Sequence, residues 1–134
     1  MRIVTLNVNG LRSAERKGFS RWLARAEPWD VVCVQEIKCA SDDVPDALRA
    51  PRRSHATFLP ARKKGYAGVA VYSKTPHSAS AGFGEPEFDD EGRYLEAHFR
   101  DLTVVSLYLP IRLSLSAPTA ARSASRSRMW SAVP

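Results

Sequence analysis

Apolar and polar positions along residues 1–110 alternate in runs that are typical of a folded α/β domain. A short apolar segment over Arg2–Asn7 predicts a buried strand, which the turn-forming residues Asn9 and Gly10 end. The continuous apolar run Val31–Val34 predicts a second strand that is covered on both faces. If these strands lie side by side and parallel, the polar residues at their carboxyl ends converge.

A helix is predicted between these two strands. Ser13 is a suitable N-cap residue, and Pro28 is expected to stop the helix. The apolar residues between them recur at the spacing of one helical face, so we assign that face and Trp29 to the core. The residues of this face are Phe19, Trp22, Leu23 and Ala26.

The remaining sequence up to Pro110 is rich in predicted strands. An acidic, proline-marked segment opens a short helix that runs to Leu48. Asp101 leaves room only for a tight antiparallel hairpin between the last two strands. This order of elements predicts the α/β class, with a mixed sheet and helices packed on it. The predicted strands are His55–Leu59, Gly68–Tyr72, Leu95–Arg100 and Leu102–Leu109.

The composition changes after Pro110. Residues 111–134 contain six Ser, five Ala and four Arg, with no Gly and no acidic residue. We therefore divide the chain into a folded part, 1–110, and an aberrant segment, 111–134. A disordered basic tail is one explanation. A frameshift at Pro110 is the favoured one, because codons that encode Ile-Arg-Leu can encode Ser-Gly-Ser after the loss of one base.

Charge, cysteines and hydropathy limit the possible functions. The net charge is +6, but residues 1–110 hold 16 of the 20 basic residues and all 14 acidic ones, so most of the excess lies in the tail. Cys33 and Cys39 lack the partners of a zinc site and are expected to be reduced. No stretch approaches the roughly 20 apolar residues of a membrane span. We expect a cytoplasmic protein without a membrane partner.

Glu36 and Asn7 are the candidate site residues that the pattern itself selects. Glu36 follows a fully apolar strand, where a carboxylate is either exposed at the sheet edge or bound to a cation. Magnesium suits such a position, because it takes one or two carboxylates together with phosphate oxygens. Asn7 ends the neighbouring strand and can hold a phosphate, orient a carboxylate or simply form a turn.

Five sequence blocks closely resemble exodeoxyribonuclease III, from the abasic-site endonuclease branch of the endonuclease/exonuclease/phosphatase superfamily. They occur in register and cover nearly all of residues 1–110. The blocks are Leu6-Asn7-Val8-Asn9-Gly10-Leu11-Arg12, Val34-Gln35-Glu36-Ile37-Lys38, Gly65-Tyr66-Ala67-Gly68-Val69-Ala70, Asp90-Glu91-Gly92-Arg93 and Ser106-Leu107-Tyr108-Leu109-Pro110.

The resemblance implies the N-terminal, incomplete half of a two-sheet α/β sandwich. It implies a monomeric, magnesium-dependent nuclease, with manganese as a possible substitute, that acts on double-stranded DNA at abasic sites and 3′ ends. On this resemblance Glu36 and Asn7 are metal ligands, and Asn7 and Lys38 bind phosphate. Tyr108 is the catalytic residue that stabilises the phosphate in the transition state.

The same resemblance leaves gaps. The family's Asp-x-Asn segment and late Asp-His pair are not found here, and His55, His77 and His98 match no catalytic block. We therefore expect a truncated chain that is inactive alone. Two alternatives stay open: a non-catalytic relic, and a basic DNA-binding fragment that uses Arg62–Lys64 or the tail arginines.

The frameshift hypothesis makes a prediction about the gene. Resequencing across codon 110 and translating all forward frames is expected to recover, in a shifted frame, an Asp-x-Asn block and a late Asp-His pair. The hypothesis fails if no frame contains them.

Overall fold

Two β-sheets and a layer of short helices form the computed structural model, which describes residues 1–26, 28–51 and 53–110. The strands are β1 (Ile3–Asn7), β2 (Val31–Gln35), β3 (His55–Leu59), β4 (Val69–Ser73), β5 (Ser78–Ala81), β6 (Tyr94–His98) and β7 (Thr103–Leu107). The α-helices are α1 (Leu11–Arg16), α2 (Phe19–Arg25), α3 (Asp46–Arg49) and α4 (Pro86–Asp89), and Ser41–Asp43 forms a 3₁₀ turn.

The first sheet has the strand order β1-β2-β4-β3, and the second has the order β5-β6-β7. β1 and β2 are parallel, with Asn7 opposite Gln35, whereas the other neighbours are antiparallel. The predicted parallel pair and the tight hairpin around Asp101 are therefore confirmed. The α/β class is confirmed as well, in the two-sheet form that the resemblance implied.

β2 lies at the centre of the fold, and every one of its residues is buried. Val32 and Val34 pack in one apolar cluster with the helices, whereas Val31 and Cys33 pack in another against the second sheet. Burying a valine side chain contributes about 1.5–3 kcal/mol, so this one strand supplies much of the apolar stabilisation. The prediction that Val31–Val34 is covered on both faces is confirmed.

β1 departs from the prediction of a buried strand. Ile3 is 49% exposed and Leu6 is 37% exposed, and only Val4 and Val8 in this region pack against the helical cluster. The reason is topological, because β1 is the outermost strand of the first sheet among the described residues. A periodic pattern cannot distinguish an edge strand from a central one.

The single helix predicted after β1 is two helices. Gly18 adopts a left-handed conformation, with φ 96°, and separates α1 from α2. Ser13 lies inside α1, whose N-cap is Gly10, so the capping prediction was wrong. Phe19 and Leu23 are buried as predicted, but Trp22 is 36% exposed and stacks on Phe19.

Several smaller predictions have clear outcomes. Cys33 and Cys39 are free and buried, and Trp29 belongs to the core. β5 and α4 were missed, because Ser78–Ala81 has no β-branched residue and Pro86–Asp89 is only one turn long. Within the described part of the chain, no helix has the length and hydropathy that a membrane crossing needs. The predicted change of character at 111–134 lies outside the described residues.

Gly68 provides a test of the packing that holds the Glu36 segment. A Cβ atom at Gly68 would lie 2.6 Å from Cγ1 of Ile37, and Ile37 is fully buried. We expect Gly68→Ala to lower the free energy of unfolding by about 1–3 kcal/mol in urea denaturation, from backbone strain and overpacking. Gly65→Ala is the matched control, since Gly65 also has positive φ but no atom within 4 Å of that Cβ. Equal destabilisation by both variants would contradict the packing argument.

Candidate functional site

Asn7 and Glu36 meet at the carboxyl ends of the parallel strands β1 and β2. The register pairs Asn7 with Gln35, so Glu36 is the first residue beyond the end of β2. The side-chain amide nitrogen of Asn7 donates a hydrogen bond of 2.8 Å to Oε1 of Glu36. The predicted convergence of these two residues is therefore observed, with the carboxylate held by the amide.

The backbone around Glu36 adopts an uncommon conformation. Glu36 and Lys38 have φ values of 56° and 50°, in the left-handed region that few non-glycine residues occupy. The Glu36 carbonyl accepts a 2.7 Å hydrogen bond from the Gly10 N–H, and the Lys38 N–H donates to the Ala67 carbonyl at 2.9 Å. Loops on both sides thus fix this segment, as is typical where strain is retained at functional sites.

The amide group of Asn7 is oriented by its own backbone. Its Oδ1 accepts a 3.0 Å hydrogen bond from the Asn9 N–H, which leaves the amide nitrogen to face Glu36. In this arrangement Asn7 acts as a donor that positions the carboxylate. Its oxygen, the atom that a metal would require, is engaged with the backbone.

Lys38 forms an ion pair with the second oxygen of the Glu36 carboxylate. Its Nζ lies 2.9 Å from Oε2 of Glu36 and 2.5 Å from Oδ1 of Asn9. Each oxygen of Glu36 therefore has its own polar partner, an amide on one side and an ammonium group on the other. The Lys38 side chain is 35% exposed, so the ammonium group also faces solvent.

Tyr108 reaches the same carboxylate from the second sheet. It follows β7, and its backbone N–H donates a 2.9 Å hydrogen bond to the Arg93 carbonyl. Asn7 is the main cause that lowers the pKa of Glu36, and the nearby Tyr108 hydroxyl is among the groups that add to this lowering. The four predicted site residues therefore come together at one place, although two different sheets supply them.

The electrostatics of the site favour an ionised Glu36 and a protonated Tyr108. The hydrogen bond from Asn7 is the main cause that lowers the pKa of Glu36, against the opposing effect of burial, and Lys38 adds to it. Burial raises the pKa of Tyr108, and the neighbouring Glu36 carboxylate raises it further. At neutral pH the site therefore offers an anionic oxygen ligand next to a phenol that can donate.

Gln35 is a contributor that the sequence did not assign. It is 8% exposed, and its Nε2 lies 3.0 Å from Oγ1 of Thr5 and 3.5 Å from Oγ of Ser106. These contacts join β1, β2 and β7 at the end of β2 that leads into Glu36. The signal available in the sequence was a polar residue at the end of an otherwise apolar strand.

Arg93 and Tyr66 are further residues to which the sequence assigned no role. Arg93 is 2% exposed, pairs with Glu91 and donates to the Tyr66 hydroxyl at 3.1 Å. Beside them a surface cleft of about 530 Å³ is lined by Tyr66 and Glu91 together with part of the basic loop. The other lining residues are Ala61, Arg62, Lys63 and Asp90.

The donor set fits a weakly ligated, hard cation. Among the described residues no group of three or more His, Cys, Asp or Glu side chains could enclose a metal ion. Magnesium does not require such a cage, because it keeps several waters and takes one or two carboxylates plus substrate phosphates. Glu36, ionised and 17% exposed, is a ligand of that kind.

Two packed sheets that bring a carboxylate, a lysine and a tyrosine to a shared edge define the class as a two-sheet α/β protein. The chain belongs to the endonuclease/exonuclease/phosphatase family, whose family model matches residues 4–133. The matched range continues past Pro110 into the segment of unusual composition.

Several named proteins are similar to this chain. It is 38% identical over 113 residues to the DNA repair nuclease APEX1 of Danio rerio, covering 82% of this chain and 36% of that protein. It is 36% identical over 111 residues to an exodeoxyribonuclease of Bacillus subtilis (strain 168), covering 82% and 43%. The chain thus spans less than half the length of these relatives.

Solved structures agree with the fold. An AP endonuclease from Archaeoglobus fulgidus superimposes with a TM-score of 0.70 at 31% identity, over 82% of this chain and 42% of that one. The 3′-5′ exonuclease NExo from Neisseria meningitidis gives a TM-score of 0.69 at 28% identity, over 81% and 41%. The similarity supports the prediction of one part of a two-sheet α/β sandwich.

The role of Asn7 in holding Glu36 ionised leads to a prediction. We expect Asn7→Ala to raise the pKa of Glu36, measured by NMR titration of ¹³C-labelled glutamate carboxyls, because the largest lowering contribution is removed. Thr5→Ala is the control, since Thr5 lies on the same strand but contacts Gln35 instead. An unchanged Glu36 titration in Asn7→Ala would contradict this account.

The same shift predicts a pH dependence of stability. The folded-state pKa of Glu36 lies below its ordinary value of 4.5, so its stabilising contribution is present above that pH and is lost as pH falls through the lower folded value. The stability difference between the unmodified chain and Asn7→Ala is therefore expected to shrink in urea denaturation below about pH 4.5.

Proposed function

We propose that this chain carries part of the active site of a magnesium-dependent DNA-repair nuclease that acts on double-stranded DNA at abasic sites and 3′ ends. The observation that carries the proposal is the ionised Glu36, which is held by Asn7 and Lys38 and has the Tyr108 hydroxyl nearby. The names of the similar proteins, a DNA repair nuclease and an exodeoxyribonuclease, support the choice of DNA as substrate.

Glu36 is proposed as the protein ligand of the metal. A bound magnesium ion, or manganese in its place, would supply positive charge that stabilises the negative charge developing on the phosphoryl oxygens. Asn7 is proposed to hold the carboxylate and to contact phosphate through its amide nitrogen. Direct metal ligation by Asn7 would use its Oδ1, which accepts one hydrogen bond from the Asn9 N–H and keeps a second lone pair.

Tyr108 and Lys38 are proposed to contact the substrate phosphate. Tyr108 keeps its proton at neutral pH, since its pKa is raised further above the ordinary value of 10, and its hydroxyl can therefore donate to a phosphoryl oxygen. Lys38 adds a positive charge that is 35% exposed and lies within 3 Å of the metal-binding carboxylate. Fixed donors of this kind stabilise a transition state more strongly than a ground state.

We further infer that the described residues alone give little catalysis. Among them, the partners of Glu36 are Asn7, Lys38 and Tyr108, so no second carboxylate or histidine is paired with it to activate water. General-base catalysis typically contributes about 10²- to 10⁴-fold in rate, so its absence is a severe loss.

The monomeric state and cytoplasmic location expected from the sequence remain part of this proposal.

A second candidate function is DNA binding without cleavage. Arg62 and Lys63 are exposed beside Tyr66, and Lys63 Nζ lies 5.7 Å from the centroid of the Tyr66 ring. Lysine, arginine and an exposed aromatic ring on one surface are typical of contacts with a nucleic-acid backbone. This function would appear as salt-sensitive binding of duplex DNA that does not need a metal.

The metal role of Glu36 is tested with manganese as a paramagnetic probe. We expect Mn²⁺ to broaden the NMR signals of Asn7 and Tyr108 in the unmodified chain. Glu36→Gln is expected to abolish this broadening, because it neutralises the one carboxylate that the described residues place at the site. Glu87→Gln, on the exposed helix α4, is the matched control and is expected to retain the broadening.

Activity provides the second measurement of the same variant. Any magnesium-dependent nicking of an abasic duplex by the unmodified chain is expected to disappear in Glu36→Gln. Nicking that survives this substitution, or manganese broadening that survives it, would place the metal elsewhere and overturn the assignment.

A further inference from the structure

Arg93 is a buried charge that stability alone does not explain. Its side chain is 2% exposed, and its Nη1 is buried without a hydrogen-bond partner among the described residues. Glu91 neutralises the guanidinium through Nε. Apolar side chains of similar volume usually stabilise a fold at least as well as a buried ion pair does. We therefore expect a structural role that requires an arginine at this position.

The guanidinium of Arg93 joins two aromatic rings. Its central carbon lies 5.7 Å from the centroid of Tyr66 and 5.1 Å from the centroid of Tyr108, within the range of cation–π attraction. Nη2 also donates to the Tyr66 hydroxyl at 3.1 Å, and the Arg93 carbonyl accepts from the Tyr108 N–H at 2.9 Å. One residue thus contacts both tyrosines through its side chain and one of them through its backbone.

The two tyrosines belong to different parts of the surface. Tyr66 is 39% exposed and lines the cleft next to the basic loop. Tyr108 lies at the carboxylate of Glu36. Arg93 therefore stands between the cleft and the candidate catalytic site and is in contact with a residue of each.

We propose that Arg93 is a positioning residue that fixes Tyr66 and Tyr108 relative to each other, so that the cleft and the Glu36 site present one continuous surface to duplex DNA. The side chain performs this task because a planar guanidinium can pair with Glu91, donate to Tyr66 and lie over a ring at the same time. Lysine carries the charge without this planar fork. The link to DNA rests on the proposed function, whereas the coupling of the tyrosines does not.

The coupling is tested by NMR of the full chain with ¹³C-labelled tyrosine rings. When Arg93 is present, we expect Tyr66→Phe to shift the ring signals of Tyr108. When Arg93→Lys is also present, we expect Tyr66→Phe to leave these signals unchanged. Tyr72, which packs against the helical cluster, is the internal reference and is expected to stay unchanged. A Tyr108 response that is absent, or that persists without Arg93, overturns the proposal.

The consequence for DNA is tested by affinity for an abasic duplex. We expect Arg93→Gln to weaken binding about tenfold, as is usual for loss of a buried charged hydrogen-bond donor, and to cause no further loss in the Tyr66→Phe/Tyr108→Phe background. Additive losses would mean that Arg93 acts independently of the tyrosines and would overturn the proposal. Arg49→Gln, which removes an arginine from an exposed ion pair on α3, is the control.

The two experiments separate the failure of each idea. If the unmodified chain does not bind the duplex, the proposed function fails while the ring signals still decide the coupling. Urea denaturation of Arg93→Lys and Arg93→Gln identifies a variant that does not fold. Arg93→Lys keeps the positive charge opposite Glu91, so the ring measurement remains decisive if Arg93→Gln is unfolded.

Discussion

Burial of β2 between two layers is the constraint on which the rest of this structure depends. Val32 and Val34 pack with the helices while Val31 and Cys33 pack with the second sheet, so neither layer can shift without exposing apolar surface on this strand. Glu36 follows immediately, and its position is therefore set by the most buried element of the fold. A polar site at the end of such a strand receives rigidity from the core in addition to that from its own hydrogen bonds.

The site shows how charge is arranged around a single carboxylate. Asn7 and Lys38 contact one oxygen each, and the net effect of these partners outweighs the burial that would otherwise raise the pKa of Glu36. The pKa of Tyr108 is shifted in the opposite direction, chiefly by burial and then by the neighbouring Glu36 anion. Neighbouring groups whose pKa values are displaced in opposite directions are common in sites that handle charge.

The sequence predicted the parts of this arrangement that depend on local pattern and on motif spacing. Val31–Val34 was recognisable as a doubly covered strand, and the resemblance brought Asn7, Glu36, Lys38 and Tyr108 into one proposed site. Exposure of β1 could not be predicted, because it depends on the strand order of the sheet. The break at Gly18 and the contacts of Arg93 were also missed, since the first depends on one backbone angle and the second on the packing of two sheets.

The position of β1 has a consequence for how the protein behaves in concentrated solution. As the outermost strand of its sheet among the described residues, it leaves one row of backbone groups without a neighbouring strand, next to the exposed side chains of Ile3 and Leu6. An edge of this kind is a template onto which a strand from any other chain can add. We therefore expect the yield of monomeric protein on refolding to fall as the concentration rises, and a charged side chain in place of Ile3 to favour the monomer by opposing self-association.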